Sequence, residues 1–320
     1  MTSLDRIDSE SLQALHDMRA RFPGGLNAIP DLGARRAAAT LAMTGGIDPA
    51  ESWTEGHVRE SHVPRGQGEG DIRIRIFTPD TLRASECRLL FIPGGGMVMG
   101  GLVEESAAAS ALASELGIEV VALEYRLAPE FPYPAALSDC CAVLDSMTVA
   151  APSADTERPR VLIYGGSAGG GLAIALALHA RDAGGPQIDY VLAAYPMLDD
   201  RHATPSSHEI VDVGIWDREG SIECWSYYLG ESMPDSYAAP ARAADLKGLP
   251  PMFIDVGGQD LFRDEAMDFA QRATHAGVAV EFHLYPGAYH ASEHIAPDAT
   301  LSRKIMRNRI SALRSAIERP

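Results

Sequence analysis

Tyr164-Gly165-Gly166-Ser167-Ala168-Gly169-Gly170-Gly171 is the stretch on which the fold turns. It contains G-x-S-x-G. A short apolar run, 161–164, precedes it, and an alanine-rich, helix-favouring run, 168–183, follows it. A strand that turns sharply into a helix holds the serine in a strained backbone conformation, where neighbouring side chains would clash; hence the glycines. Such a turn lifts the Ser167 hydroxyl clear of a sheet. It also aims the first amides of the helix, that of Ala168 included, at the place where a reacting carbonyl oxygen would sit. Taken alone, the motif also fits a glycine-rich turn that merely packs closely, so its surroundings decide.

Working outward, short apolar runs at 89–92, 120–123, 191–194, 252–256 and 278–284 read as buried strands, and 71–77 alternates as a half-buried strand does. Helix-favouring stretches lie at about 104–116, 134–147, 168–183, 263–276 and 298–317. Strands alternating with helices imply an α/β protein with a mainly parallel sheet covered on both faces. No helix-favouring stretch separates 71–77 from 89–92, which suggests an antiparallel start. Leu4, Ile7, Leu12, Leu15 and Met18 recur at near-helical spacing, and a second helix is expected at about 32–43. Residues 201–240 carry no clear strand and read as a helical excursion above the sheet, forming a lid with the N-terminal helices. The expected organisation is a helical cap segment 1–55, a catalytic core in two parts, 56–200 and 241–320, and a cap insertion 201–240.

A bare serine needs a base, and the base needs a carboxylate to fix its tautomer. In this topology the chain order is Ser, then Asp, then His. Asp260, in Gly257-Gly258-Gln259-Asp260-Leu261-Phe262-Arg263-Asp264-Glu265, lies just past a strand end, where catalytic groups of open α/β sheets collect. Asp264 and Glu265 read instead as acids opening the next helix. His290, in Tyr285-Pro286-Gly287-Ala288-Tyr289-His290, follows the next strand and is the expected base, with His294 as its rival. The third element is Phe91-Ile92-Pro93-Gly94-Gly95-Gly96-Met97-Val98-Met99-Gly100. Its glycines free backbone N–H groups to point inward, and Gly95, Gly96 and Ala168 are the expected oxyanion donors. No Lys-Ser/Thr follows, so a phosphate loop is not indicated.

These motifs, with Glu124-Tyr125-Arg126-Leu127-Ala128-Pro129-Glu130, the nearby Phe131-Pro132-Tyr133-Pro134, and Tyr195-Pro196-Met197-Leu198-Asp199, make the chain resemble the hormone-sensitive-lipase-like carboxylesterases of the α/β-hydrolase fold. The resemblance covers most of the chain. It implies an eight-stranded sheet, a helical cap and hydrolysis of short- to medium-chain acyl esters. It also implies Ser167 as nucleophile, Asp260 as orienting acid and His290 as base. Pro93 stands where that family usually has a histidine that helps hold the oxyanion loop, and proline supplies neither imidazole nor N–H. Phe131 replaces another usual histidine, and Ser292 an aromatic, with the pocket wall the expected place of the Ser292 change. Arg126 and Glu130 are expected to serve structure. Trp216, Trp225, Tyr227 and Tyr228 read more as packing than as substrate wall, while Met97 and Met99 suit either an acyl pocket or the core. The same residues would suit a lactone, amide or other acyl hydrolase. A non-catalytic binder ranks below, since all three triad candidates are present.

The chain has 320 residues with 27 Lys plus Arg against 44 Asp plus Glu, a net charge of −17. So acidic a surface disfavours nucleic acid and anionic membranes as partners and leaves a small-molecule ester. No basic start followed by an apolar run suggests a signal peptide, and no apolar stretch has the length of a membrane span. Cys87, Cys140, Cys141 and Cys224 show no metal-site or disulfide spacing, so reduced thiols, a cytoplasmic location, and neither metal nor organic cofactor are expected. A homodimer through the last strand, at the sheet edge, is compatible with the pattern.

Overall fold

The structure, a computed structural model, describes residues 3–66, 69–148, 158–211 and 215–319. Eight strands form one sheet: β1 Gly56–Pro64, β2 Asp71–Pro79, β3 Cys87–Ile92, β4 Glu119–Leu123, β5 Arg160–Gly166, β6 Tyr190–Ala194, β7 Met252–Gln259 and β8 Val280–Tyr289. Their order is β1-β2-β4-β3-β5-β6-β7-β8. β2 runs antiparallel to β1 and β4, and all other pairs are parallel. The helices are α1 Ser9–Arg21, α2 Leu32–Thr44, α3 Leu102–Leu116, α4 Ala135–Thr148, α5 Ala168–Ala183, α6 Pro205–Glu209, α7 Arg218–Leu229, α8 Arg263–His275, α9 Ser292–Ile295 and α10 Thr300–Ile317. This is the α/β-hydrolase architecture that the motifs implied.

The central strands are apolar because both faces are covered: every residue of β6 is buried, as are Val161 to Gly165 in β5. α5 packs flat on this region, and its small residues set the distance. A Cβ on Gly165 would lie 2.1 Å from the Gly169 carbonyl oxygen, and one on Gly169 would lie 2.1 Å from that of Ile92. The glycines after Ser167 therefore also bring the helix start down onto β3. Gly169→Ala is expected to destabilise the fold by about 1–3 kcal/mol, because the obstacle is backbone and cannot rotate away. A urea midpoint equal to that of the parent protein would contradict this.

The N-terminal helices start on side-chain caps. Asp8 accepts from Ser11 N–H at 3.1 Å, and Asp31 accepts from Ala34 N–H at 2.7 Å. α2 is fastened to the core by Arg36, which makes a paired contact with Glu130 at 2.7 Å and bonds the carbonyls of Val98 (2.8 Å) and Ala128 (2.9 Å). Glu130 thus serves structure, as expected. So does Arg126, which bonds Asp139 and lies over the exposed Phe131 ring at 5.7 Å.

Two sequence expectations need correction. The first strand, β1, was not anticipated: only Val63 is buried in it, so it lacks an apolar face to read. The antiparallel start accordingly joins β1, β2 and β4, and β3 is not a neighbour of β2. Helical order begins at Ser9 rather than Leu4, because Asp8 caps there and Ser3–Arg6 forms a separate 3-10 turn. Asp264 and Glu265 open α8, as the sequence implies, and Glu265 has a further part there. It is buried in the first turn of α8 and accepts from Leu198 N–H (2.7 Å) and Asp199 N–H (3.3 Å), and burial raises its pKa well above the usual carboxylate range. Of the 201–240 excursion, α6 and α7 are helical, while 212–214 lie outside the described residues.

Candidate active site

Ser167 sits between β5 and α5 at φ 56° and ψ −120°, the strained turn that the glycines imply. Three backbone hydrogen bonds over-determine it. Its N–H donates to Ala194 at 2.9 Å, and its carbonyl accepts from Met197 and Gly171 at 3.0 Å each. The strain is therefore distributed over β6 and the first turn of α5.

The structure brings all three sequence candidates together. His290 Nε2 lies 3.0 Å from Ser167 Oγ, and its Nδ1 lies 2.9 Å from Asp260 Oδ2. The second Asp260 oxygen accepts from Phe262 N–H at 3.0 Å. All three residues are buried. A neutral imidazole bonded in this way carries its proton on Nδ1 and offers Nε2 as acceptor to the serine hydroxyl. Aromatic rings hold the imidazole from three sides: Tyr195 edge-on at 4.8 Å, Phe262 at 5.3 Å and Trp216 at 6.0 Å. His294, the rival, also borders the cavity but forms no hydrogen bond with Ser167. It sits 3.6 Å from Glu293.

Gly95 and Gly96 adopt φ +106° and +65°, values that L side chains rarely take. Among the described residues, no backbone acceptor meets the N–H of either. α5 begins with Ala168 and has no side-chain cap, so its first amides are also uncommitted. Gly95 borders the cavity into which Ser167 opens, whereas Gly96 and Ala168 are not among its lining residues.

That cavity holds about 360 Å³. Phe91, Tyr164 and Met99 form its floor region, and Met18, Phe22, Leu26, Ala39 and Met43 from the N-terminal helices close it from above. Trp216 is the residue whose reading changes. It borders the cavity, and a Cβ on Gly96 would fall 2.5 Å from its ring, so it packs directly on the glycine loop. No local signal separated it from Trp225 and Tyr228, which are buried and pack on each other at 5.9 Å. Met97 is core, whereas Met99 lines the cavity. Ser292 is buried away from the wall, which Ala291 and Ile295 supply instead.

Beneath the site lies an ion cluster that sequence reasoning missed, because its members are far apart in the chain. Arg309 of α10 is buried and bonds Asp255 of β7 through two nitrogens, at 2.7 and 2.9 Å, and Glu293 of α9 at 2.6 Å. It also lies over the ring of Tyr195, at 5.1 Å, the same ring that packs edge-on with His290. Burial pushes the Glu293 carboxyl up, but Arg309 and His294 outweigh it and hold the group at about 2. Asp255, equally buried and repelled by Glu293, is raised despite the same arginine. Among the described residues, no group of three or more His, Cys, Asp or Glu side chains could hold a metal ion, and no helix is long and apolar enough to cross a membrane.

Comparison with known proteins agrees with this architecture. A family model described as alpha/beta hydrolase fold matches residues 89–294. The carboxylesterase NlhH of Mycobacterium tuberculosis is 32% identical over 255 residues, spanning 78% of this chain and 80% of that protein. Esterase LipI of the same organism is 36% identical over 219 residues, 67% of this chain and 68% of its own. The solved structure named bacterial heroin esterase superposes with a TM-score of 0.90 at 33% identity, covering 99% of this chain and 100% of that one.

Proposed function

The chain belongs to the α/β-hydrolase family and is a carboxylic ester hydrolase; from that premise we propose that it cleaves short- to medium-chain acyl esters through Ser167, His290 and Asp260 and a covalent acyl-enzyme. The observation that carries this reading is the continuous hydrogen-bonded path from Ser167 Oγ through His290 to Asp260, with links of 3.0 and 2.9 Å. His290 Nε2 takes the hydroxyl proton as Oγ adds to the ester carbonyl carbon. The carbonyl oxygen becomes an oxyanion and accepts from the N–H groups of Gly95, Gly96 and Ala168. Asp260 stays ionised and steadies the imidazolium. The imidazolium then protonates the departing alkoxide as the carbon–oxygen bond breaks, leaving the acyl group on Oγ. Water repeats the sequence: His290 takes its proton, the hydroxide adds, and the collapsing intermediate expels Oγ, which regains a proton from His290.

The preference for short acyl chains is supported by the cavity, which at about 360 Å³ lies near the small end of the range for small-molecule sites, ~300–1,000 Å³. The cap in this reading is formed by segments 1–55 and 201–240, supported by the lining that Phe22 and Trp216 contribute. A cytoplasmic working place is supported by four cysteines that are all free thiols. A homodimer through β8 is supported by its position at the sheet edge with Leu284 exposed, and sedimentation equilibrium tests it.

An alkyl nitrophenyl phosphonate tests the mechanism. It is expected to add one phosphonyl group to the peptide carrying Ser167, with activity lost in step. Full activity in protein labelled at Ser167, or labelling only elsewhere, would overturn the reading. Across a nitrophenyl ester series, kcat/KM is expected to peak at short acyl chains and fall for chains of about twelve carbons, which outgrow the cavity.

A further inference from the structure

The glycine loop is entered through Pro93, which has no N–H and no polar side chain, yet an oxyanion site works only if its amides are held in place beforehand. The hydrogen bonds of residues 93–98 show what holds it. The Pro93 and Gly94 carbonyls both face the Tyr125 hydroxyl, at 2.9 and 3.2 Å. The Gly95 carbonyl accepts from Val98 N–H (3.1 Å) and Met99 N–H (2.9 Å). The Met97 carbonyl accepts from Ala128 N–H at 2.9 Å, and the Val98 carbonyl accepts from Arg36 at 2.8 Å. The Glu105 carboxyl on α3 stands beside Gly94, with Oε1 3.7 Å from the position a Gly94 Cβ would take. The carbonyls of Pro93, Gly94, Met97 and Val98 are thus tied to the framework and that of Gly95 to the turn that follows, while the amides of Gly95 and Gly96 have no backbone partner among the described residues.

We propose that Tyr125 is a positioning residue for the oxyanion loop, acting with Glu105 to clamp the Pro93–Gly94 segment from two sides. The proposal rests on the esterase reading above. Tyr125 follows β4, and its ring is buried, so its hydroxyl reaches the loop from beneath the sheet end without entering the cavity. The phenol is a donor at any working pH, since burial pushes its ionisation far up. Two peptide units on either side of Gly94 share this one donor. Without it they are free to rotate, and rotation of the unit joining Gly94 to Gly95 carries the Gly95 N–H with it. Glu105 stands on the other side of the same segment. Its carboxyl and the Ser167 Cβ both lie within 4 Å of the position a Gly94 Cβ would take, so the clamp closes directly beside the nucleophile.

Tyr125→Phe keeps the buried ring and removes only the hydroxyl. The expected result is a fall in kcat of about 10- to 100-fold with KM nearly unchanged, because a displaced donor affects the oxyanion and not the bound ester. Affinity for an alkyl trifluoromethyl ketone, whose serine adduct places an oxyanion in the same site, is expected to weaken by a similar factor. If Tyr125→Phe does not fold, Glu105→Ala takes its place, with the same signature and a smaller loss in Glu105→Gln, whose amide keeps the same shape. Unaltered kcat and ketone affinity would overturn the proposal, as would lowered thermal stability with kcat and ketone affinity intact. Ser167→Ala separates the two levels. If it is inactive while Tyr125→Phe behaves as the parent, the clamp alone is wrong; if it retains turnover, the esterase mechanism falls and the clamp with it.

Discussion

Ser167→Ala is expected to lower kcat/KM for a short nitrophenyl ester by roughly 10⁵- to 10⁶-fold, the scale on which loss of a serine nucleophile acts. The covalent route closes, since no other hydroxyl shares the His290 bond. What remains is the uncovalent contribution of the oxyanion amides and of binding, typically ~10³–10⁴ over water. The fold is expected to persist. Alanine accepts a φ of 56° at about the same strain as serine, and the three backbone bonds that hold residue 167 use no side-chain atom. The measurement is therefore paired: ester turnover, and a thermal midpoint within a degree or two of the parent's. Turnover within about tenfold of the parent, with the midpoint preserved, would mean that a different group attacks the ester.

Arg309→Met is expected to be the most damaging single change to stability, about 3–5 kcal/mol, because it leaves two carboxylates buried without their cation. The pH dependence distinguishes this cause from lost packing. In the parent, Glu293 is held at about 2, below its unfolded value, so its contribution is present above ordinary carboxylate pH and is lost as pH falls toward 2. Without Arg309, the largest lowering influence on both carboxyls is gone, burial outweighs what remains, and the folded pKa values of Asp255 and Glu293 rise. A raised folded value means stability that is present in acid and lost as pH climbs through it. The deficit of the variant is therefore expected to be larger at pH 8 than at pH 5, read by urea unfolding at both. An equal deficit at the two pH values would mean that the arginine contributes through its bulk. The triple variant Arg309→Met, Asp255→Asn, Glu293→Gln is expected to recover part of the loss, since it removes the stranded charges. Activity should suffer too, because Arg309 ties the strand leading to Asp260 and the short helix after His290 to one point.

The parts of the site that were legible in the sequence share one property: each depends on backbone conformation over a few residues. Gly165, Gly166 and Gly169 announce the turn at Ser167, and Gly95 and Gly96 announce free amides, because only particular residues tolerate those torsions or approaches. Asp260 and His290 were found from their distance past apolar runs, a period-and-boundary signal. The edge strand β1 left no such signal, since a strand with water on most of its surface needs no apolar alternation. The burial of Glu265 left no signal either: an acid in the first turn of a helix looks the same whether that turn faces solvent or the core.

Local chemistry along the chain determined the turn at Ser167, the glycine loop, the order of Ser167, Asp260 and His290 and the parallel sheet, because torsion limits and hydrophobic periodicity act between near neighbours. Only the tertiary structure decided that Trp216 would cover Gly96, that Tyr125 and Glu105 would grip the loop entered by Pro93, and that Arg309 would gather Asp255 and Glu293 beneath His290. Those contacts join residues from 11 to 120 positions apart in the chain. Their strength comes from exclusion of water, which no stretch of sequence carries until the layers close over it.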